Sequence, residues 1–166
     1  MTNVLLFAEH ELNQAEVTEA LEAFAALRVD GDHQVDVTVL VPCSATWTVA
    51  LMDDLAATHG SSTSSAFGDA RHDAAVARAS ARRILRHVLT SVRGGGHRAR
   101  GEVVMARDAV RELAAEAAAS GATTAVVVSS PHRLSHLMHR DLEHRLRRAG
   151  LENVVRLREP RTAAVT

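Results

Sequence analysis

Ala125-Val126-Val127-Val128 is a run of small and β-branched apolar residues that leads directly into Ser129-Ser130-Pro131-His132. An apolar run without alternation is typical of a strand that is buried on both faces of a parallel sheet. The serines and the proline end the strand, and a helix is predicted to follow at about 135–149. In parallel α/β sheets, the turn between a strand and the next helix is the usual phosphate site. This stretch therefore predicts a fold class and the place where a ligand would bind.

Together with this stretch, five segments are predicted to be strands, and helices are predicted between them. The strands are expected at 4–8, 35–41, 100–105, 124–128 and 154–157. The helices are expected at 13–28, 47–57, 70–93, between 108 and 121, and at 135–149, with a serine-rich loop at 59–68. Asn13 and Glu16 have the spacing of a capping box at the first helix. Strict alternation of strands and helices predicts a single doubly wound parallel α/β sheet with helices on both faces.

The composition is that of an ordinary globular domain. The chain has 166 residues, of which 46% are hydrophobic and 23% are charged, so we expect one domain with a real core. That domain is expected to span residues 1–159, followed by a flexible C-terminal tail at 160–166. The absence of lysine excludes Schiff-base chemistry and a P-loop lysine.

Charge and hydropathy also bear on partners and location. The formal net charge of −1 gives no reason to expect nucleic acid or an anionic membrane surface as a partner. No apolar run approaches the length of a membrane span, and the N-terminal residues lack the pattern of a signal peptide. The only cysteine, Cys43, excludes an intrachain disulfide. We therefore expect a cytoplasmic protein.

Ligands of doubly wound sheets bind beyond the carboxyl ends of the strands, so the residues there are the candidate site. Glu9 and His10 follow the first strand, and Val41 ends the second. The turn after the fourth strand contributes Ser129, Ser130, His132 and Arg133.

The element order and the segment after the fourth strand resemble the universal stress protein family, over residues 3 to 158. In that family, strand four leads to Gly-x-x-Gly and, further on, to Gly-Ser or Gly-Thr, and these glycines wrap the phosphates of ATP. An aspartate after strand one contacts the nucleotide. The resemblance implies a Rossmann-like sheet of the adenine nucleotide alpha hydrolase type, with strand order 3-2-1-4-5. It also implies a homodimer that pairs through strand five, from Val154 to Leu157.

The sequence departs from that pattern where the family binds phosphate. Ser129 stands at the first glycine, Arg140 and Asp141 fall at the Gly-Ser pair, and Glu9 replaces the aspartate. Glycines at such a turn let the backbone approach phosphate closely, whereas Pro131 removes one N–H donor. We therefore expect no ATP or AMP at this turn and no other cofactor. Arg140 and Asp141 remain candidate binding residues because an arginine there could serve a different anion.

Other patterns have both a chemical and a structural interpretation. His132, His136, His139 and His144 lie close enough in sequence for a metal site, but solvated or capping histidines are the favoured interpretation. Ser129 and Ser130 lack the Gly-x-Ser-x-Gly of a nucleophile elbow, so turn and capping roles are favoured. Cys43 is interpreted as a small buried residue rather than as a redox-sensing thiol.

Three hypotheses for function follow from these observations. The first is a non-enzymatic universal-stress-protein-like domain that regulates or senses a small molecule or protein partner, with a part in stress response. The second is a member that binds ATP or AMP through a turn without glycine. The third is a small hydrolase or transferase at the same crevice. The missing glycines favour the first hypothesis over the second. The third requires a nucleophile, a base and an orienting group that the sequence does not supply together.

Overall fold

The computed structural model describes residues 2–27, 34–43, 64–106, 109–128, 144, 146–148 and 150–157. The predicted helix at 47–57 and the predicted tail at 160–166 lie outside these residues.

Five parallel strands form one sheet. They are β1 (Thr2–Ala8), β2 (Val35–Cys43), β3 (Arg98–Met105), β4 (Thr124–Val128) and β5 (Asn153–Leu157). Their order across the sheet is β3-β2-β1-β4-β5, and every neighbouring pair is parallel. The predicted fold class and strand order are therefore confirmed.

Three helices are described from end to end: α1 (Gln14–Ala26), α2 (Ser64–Gly94) and α3 (Ala109–Ser120). The prediction of a loop through 59–68 is wrong for residues 64–68, because α2 already begins at Ser64. Once a helix has nucleated, each further residue adds a hydrogen bond at little cost, and this serine-rich stretch contains no proline to stop it. The remainder of the predicted loop, 59–63, lies outside the described residues.

The sheet has an apolar core on each face. On one face, Leu6, Val37 and Val126 pack with α1 and α2. On the other, Leu5, Leu40 and Val127 pack with α3 and with Leu146 and Leu151. Burial on both faces explains why strands β1 and β4 read as continuous apolar runs instead of alternating ones.

Helical residues 146–148 end in a Schellman motif at Gly150. The N–H of Gly150 donates to the carbonyl of Arg147 over 3.1 Å, and that of Leu151 donates to the carbonyl of Leu146 over 3.2 Å. Gly150 has φ +96°, a conformation that a residue without Cβ adopts freely. Because Leu146 and Leu151 are both buried in the core under α3, this turn also fixes the direction from which the chain enters β5.

Within the described residues, we find no helix that is both long and apolar enough to cross a membrane.

Candidate functional site at the carboxyl edge of the sheet

The strand register brings the predicted residues after β1 and β2 to one edge. Ala8 pairs with Val128 of β4, and Phe7 pairs with Leu40 of β2, so Glu9 and Val41 lie on adjacent strands near the carboxyl edge. The N–H of Glu9 donates to the carbonyl of Val128 over 3.1 Å, which extends the pairing of β1 with β4 by one bond. Glu9 and His10 are half-buried.

Val41 lies inside a strand rather than at its end. β2 continues to Cys43, which pairs with Met105 of β3, and Val41 is completely buried among the side chains packed with α1 and α2. A ligand at this edge would therefore meet the residues beyond Val41 before it met that side chain. Cys43 is also buried, as its structural interpretation predicts.

His10 is held by the loop between β1 and α1. Its Nδ1 lies 2.9 Å from the carbonyl oxygen of Glu11, so Nδ1 carries a proton and donates it to that oxygen. Its Nε2 lies 3.5 Å from Oε1 of Glu16. With Nδ1 protonated, Nε2 donates to the carboxylate only in the doubly protonated ring, so the charge state of His10 decides whether this contact is an ion pair.

Glu16 is the buried centre of this loop. It is 1% exposed, and its Oε2 accepts from the backbone N–H of Asn13 over 2.8 Å. Asn13 Oδ1 in turn accepts from the N–H of Glu16 over 3.0 Å. These two bonds are the predicted capping box, which is thereby confirmed. They satisfy backbone donors that the first turn of α1 cannot pair, and they place the carboxylate at the positive end of the helix.

Helix α2 binds the same loop from the outside. His87 Nε2 lies 3.0 Å from the carbonyl oxygen of Leu12, and Arg83 Nε lies 3.0 Å from Oε1 of Glu11. These contacts were not predictable from the sequence, because they join residues more than seventy positions apart and no local pattern marks them. Together with the capping box, these contacts attach the loop after β1 to both α1 and α2.

The described part of this edge carries few groups that could do chemistry. No group of three or more histidine, cysteine, aspartate or glutamate side chains in it has the arrangement of a metal site. The polar side chains of His10 and Glu16 face each other and the loop backbone. The remaining predicted site residues lie outside the described residues and stay predictions: Ser129, Ser130, His132, Arg133, Arg140 and Asp141.

Comparison with known proteins shows which solved structures have a similar fold. No family model matches the sequence, and no curated protein matches it at a significant level. The universal stress protein from Archaeoglobus fulgidus superposes with a TM-score of 0.52 at 10% sequence identity, covering 95% of this chain and 94% of that one. Hypothetical protein MJ0577 superposes with a TM-score of 0.52 at 8% identity, covering 95% of this chain and 97% of that one. The chain therefore has the α/β fold of the universal stress proteins over almost its whole length.

Proposed function

We propose that the chain is a regulatory or ligand-sensing domain of the universal stress protein type, without a reaction of its own and without ATP in its crevice. The observation that carries this proposal is the part that His10 and Glu16 take in the structure of the loop after β1. His10 contacts the carbonyl of Glu11 and the carboxylate of Glu16, and Glu16 caps α1. Side chains engaged in holding a loop are poorly placed to act as an acid and a base on a substrate.

The sequence after β4 supports the second half of the proposal. No glycine occurs between Gly121 and Gly150, so the segment predicted to turn after Val128 lacks the residues that let a backbone wrap phosphate. Pro131 removes a donor from the same turn. A domain that keeps the fold while losing the phosphate turn is suited to respond to a different small molecule or to a protein partner.

Calorimetric titration with ATP and with AMP, each with magnesium, tests this proposal. We expect no binding heat and no change in melting temperature. A ligand that binds only the folded state would stabilise it by about 2.7 kcal/mol at 100 times its dissociation constant, which melting detects readily. A micromolar dissociation constant for either nucleotide would instead support the ATP- or AMP-binding hypothesis. Release of phosphate from bound ATP would support the hydrolase hypothesis.

A further inference from the structure

A polar cleft of about 370 Å³ lies at the opposite edge of the sheet, near the amino ends of β1, β2 and β3. Its volume is within the range of small-molecule pockets, about 300–1,000 Å³. The side chains that give it its polar character come from three adjacent strands and from the end of α3. They are Asn3, Asp36, Thr38, Arg98, Arg100 and Ser120.

The strand register explains why these side chains converge. Asn3, Asp36 and Arg98 lie in one row across β1, β2 and β3. Side chains alternate between the two faces of a strand, so this row faces the same side as Leu5 and Leu40, which pack with α3. Helix α3 ends at Ser120, and the first row of that face is left as an open cleft.

Most of the polar wall is fixed by bonds within the protein. Arg100 donates through Nε to Thr38 Oγ1 over 3.2 Å and through Nη2 to Glu116 Oε1 over 2.5 Å. Asn3 Nδ2 donates to the carbonyl of Ser120 over 2.6 Å, which satisfies one of the last carbonyls of α3. These bonds leave the Oδ1 of Asn3 as an acceptor, and they hold two sides of the cleft in place.

Two other side chains of the cleft, Asp36 and Arg98, are not held by such bonds. They are register partners on the parallel strands β2 and β3, which lie about 4.8 Å apart, so the two side chains start close to each other. Yet neither side chain makes a hydrogen bond or an ion pair with any described residue. Asp36 is half-buried on the floor of the cleft and Arg98 is exposed at its rim. One cleft therefore presents a carboxylate and a guanidinium that lie on neighbouring strands but form no ion pair with each other.

We propose that this cleft binds a small zwitterion, an amino acid or a short ω-amino acid, with its ammonium group on Asp36 and its carboxylate on Arg98. The planar guanidinium pairs with a carboxylate through two parallel hydrogen bonds, and the aspartate accepts from the ammonium. The wall made by Asn3 and Thr38 adds uncharged polar contacts. This cleft shares no residue with the crevice at the carboxyl edge of the sheet. The zwitterion proposal therefore does not depend on the function proposed above.

The test uses 4-aminobutyrate and L-alanine as probes, with acetate and ethylammonium as single-charge controls. Backbone amide signals of Asp36 and Arg98 in ¹H–¹⁵N NMR spectra should shift saturably with at least one zwitterion, with a dissociation constant at or below the millimolar range. Neither single-charge control should reproduce the shift. A matching shift with acetate alone, or no saturable shift with either zwitterion at tens of millimolar, would overturn the proposal.

Variants locate the site. Asp36→Asn and Arg98→Gln remove one charge each from side chains that hold no described contact, so both proteins should fold normally. Each should weaken zwitterion binding about tenfold, the usual size of a charged hydrogen bond. Asp73→Asn and Arg82→Gln, at exposed positions on α2, are the matched controls and should leave binding unchanged. Equal binding by all four variants would show that the zwitterion binds elsewhere and would refute the assignment to this cleft.

Discussion

At the scale of single residues, the loop after β1 depends on one buried carboxylate. Burying a charge is costly unless it is hydrogen-bonded, and Glu16 meets this condition through Asn13 and the amino end of α1. The spacing of Asn13 and Glu16 was sufficient to predict the capping box. The burial of Glu16 and its contact with His10 were not predictable, since both depend on how the preceding loop folds back over the helix.

Replacing Asn13 tests how much the capping box contributes to the stability of the protein. Asn13→Ala should lower the free energy of unfolding by about 1 kcal/mol, because the N–H of Glu16 loses its acceptor. Gln14→Ala, one residue further on and exposed, is the matched control and should change stability by less than about 0.5 kcal/mol. Urea unfolding of the three proteins measures both values. Equal stability of Asn13→Ala and Gln14→Ala would show that the box contributes nothing.

At the scale of elements, a side chain of α2 forms hydrogen bonds with the backbone of the edge strand β3. Arg93, at the end of α2, donates through Nε and Nη2 to the carbonyl oxygen of Ala99, over 3.1 and 2.7 Å. An edge carbonyl that is already paired is a poor template for another strand. Two residues further along the strand, Gly101 lies so close to β2 that an added Cβ would clash with the backbone oxygen of Val39 and stand 2.9 Å from Leu85.

A pair of glycine substitutions tests this close approach. Gly101→Ala should destabilise the protein by about 1–3 kcal/mol, because a backbone atom of β2 cannot move aside without disturbing the sheet. Gly94→Ala is the control, since its added Cβ would meet nothing within 4 Å at the end of α2. It should be neutral or should stabilise the helix by up to about 1 kcal/mol. Thermal and urea unfolding distinguish the two, and a stable Gly101→Ala protein would refute the account of β3.

Element boundaries were predictable where apolar residues dominate. β4 was predicted at its observed ends, and β1 and β5 were missed by no more than two residues. The first two residues of β3, Arg98 and Ala99, were missed because Arg98 is exposed on an edge strand and does not belong to an apolar run. The first turns of α2 were missed for a related reason, since their serine-rich sequence has no apolar period.

At the scale of the whole molecule, the sheet has two edges, β3 and β5. Arg93 caps a carbonyl of β3, and on β5 both Val154 and Val155 are only half-buried. An apolar edge strand favours pairing with another chain. We therefore propose, as the family resemblance implied, that two copies pair through β5 about a two-fold axis.

Sedimentation of a matched pair of variants tests the dimer. Val155→Asp places a charge at the proposed interface and should shift the protein to monomer. Val76→Asp makes the same change on α2, where Val76 is already 54% exposed, and should sediment as the wild type does. Because Val155 also contacts the core packed with α1 and α2, circular dichroism must show that the variant is folded. A wild-type monomer at tens of micromolar would contradict the proposal, since a dimer with a dissociation constant near 1 μM would be mostly assembled.

The parallel sheet with helices on both faces was therefore predictable from the alternation of strands and helices. Its strand order was predicted only through the resemblance to the universal stress protein family. The candidate site was predictable only as a place. The register shows that residues after β1 and β2 reach one edge, but the bonds of His10, His87 and Arg83 that shape it arise from contacts between distant elements.

Mass spectrometry of the purified protein under non-denaturing conditions tests most directly the central proposal, that the chain forms a dimer and binds no nucleotide. We predict a single species at twice the chain mass of 17.8 kDa, with no added mass corresponding to an adenine nucleotide. An added mass matching ATP or AMP on each chain would contradict the account, because it would show that the turn after β4 binds phosphate without glycines.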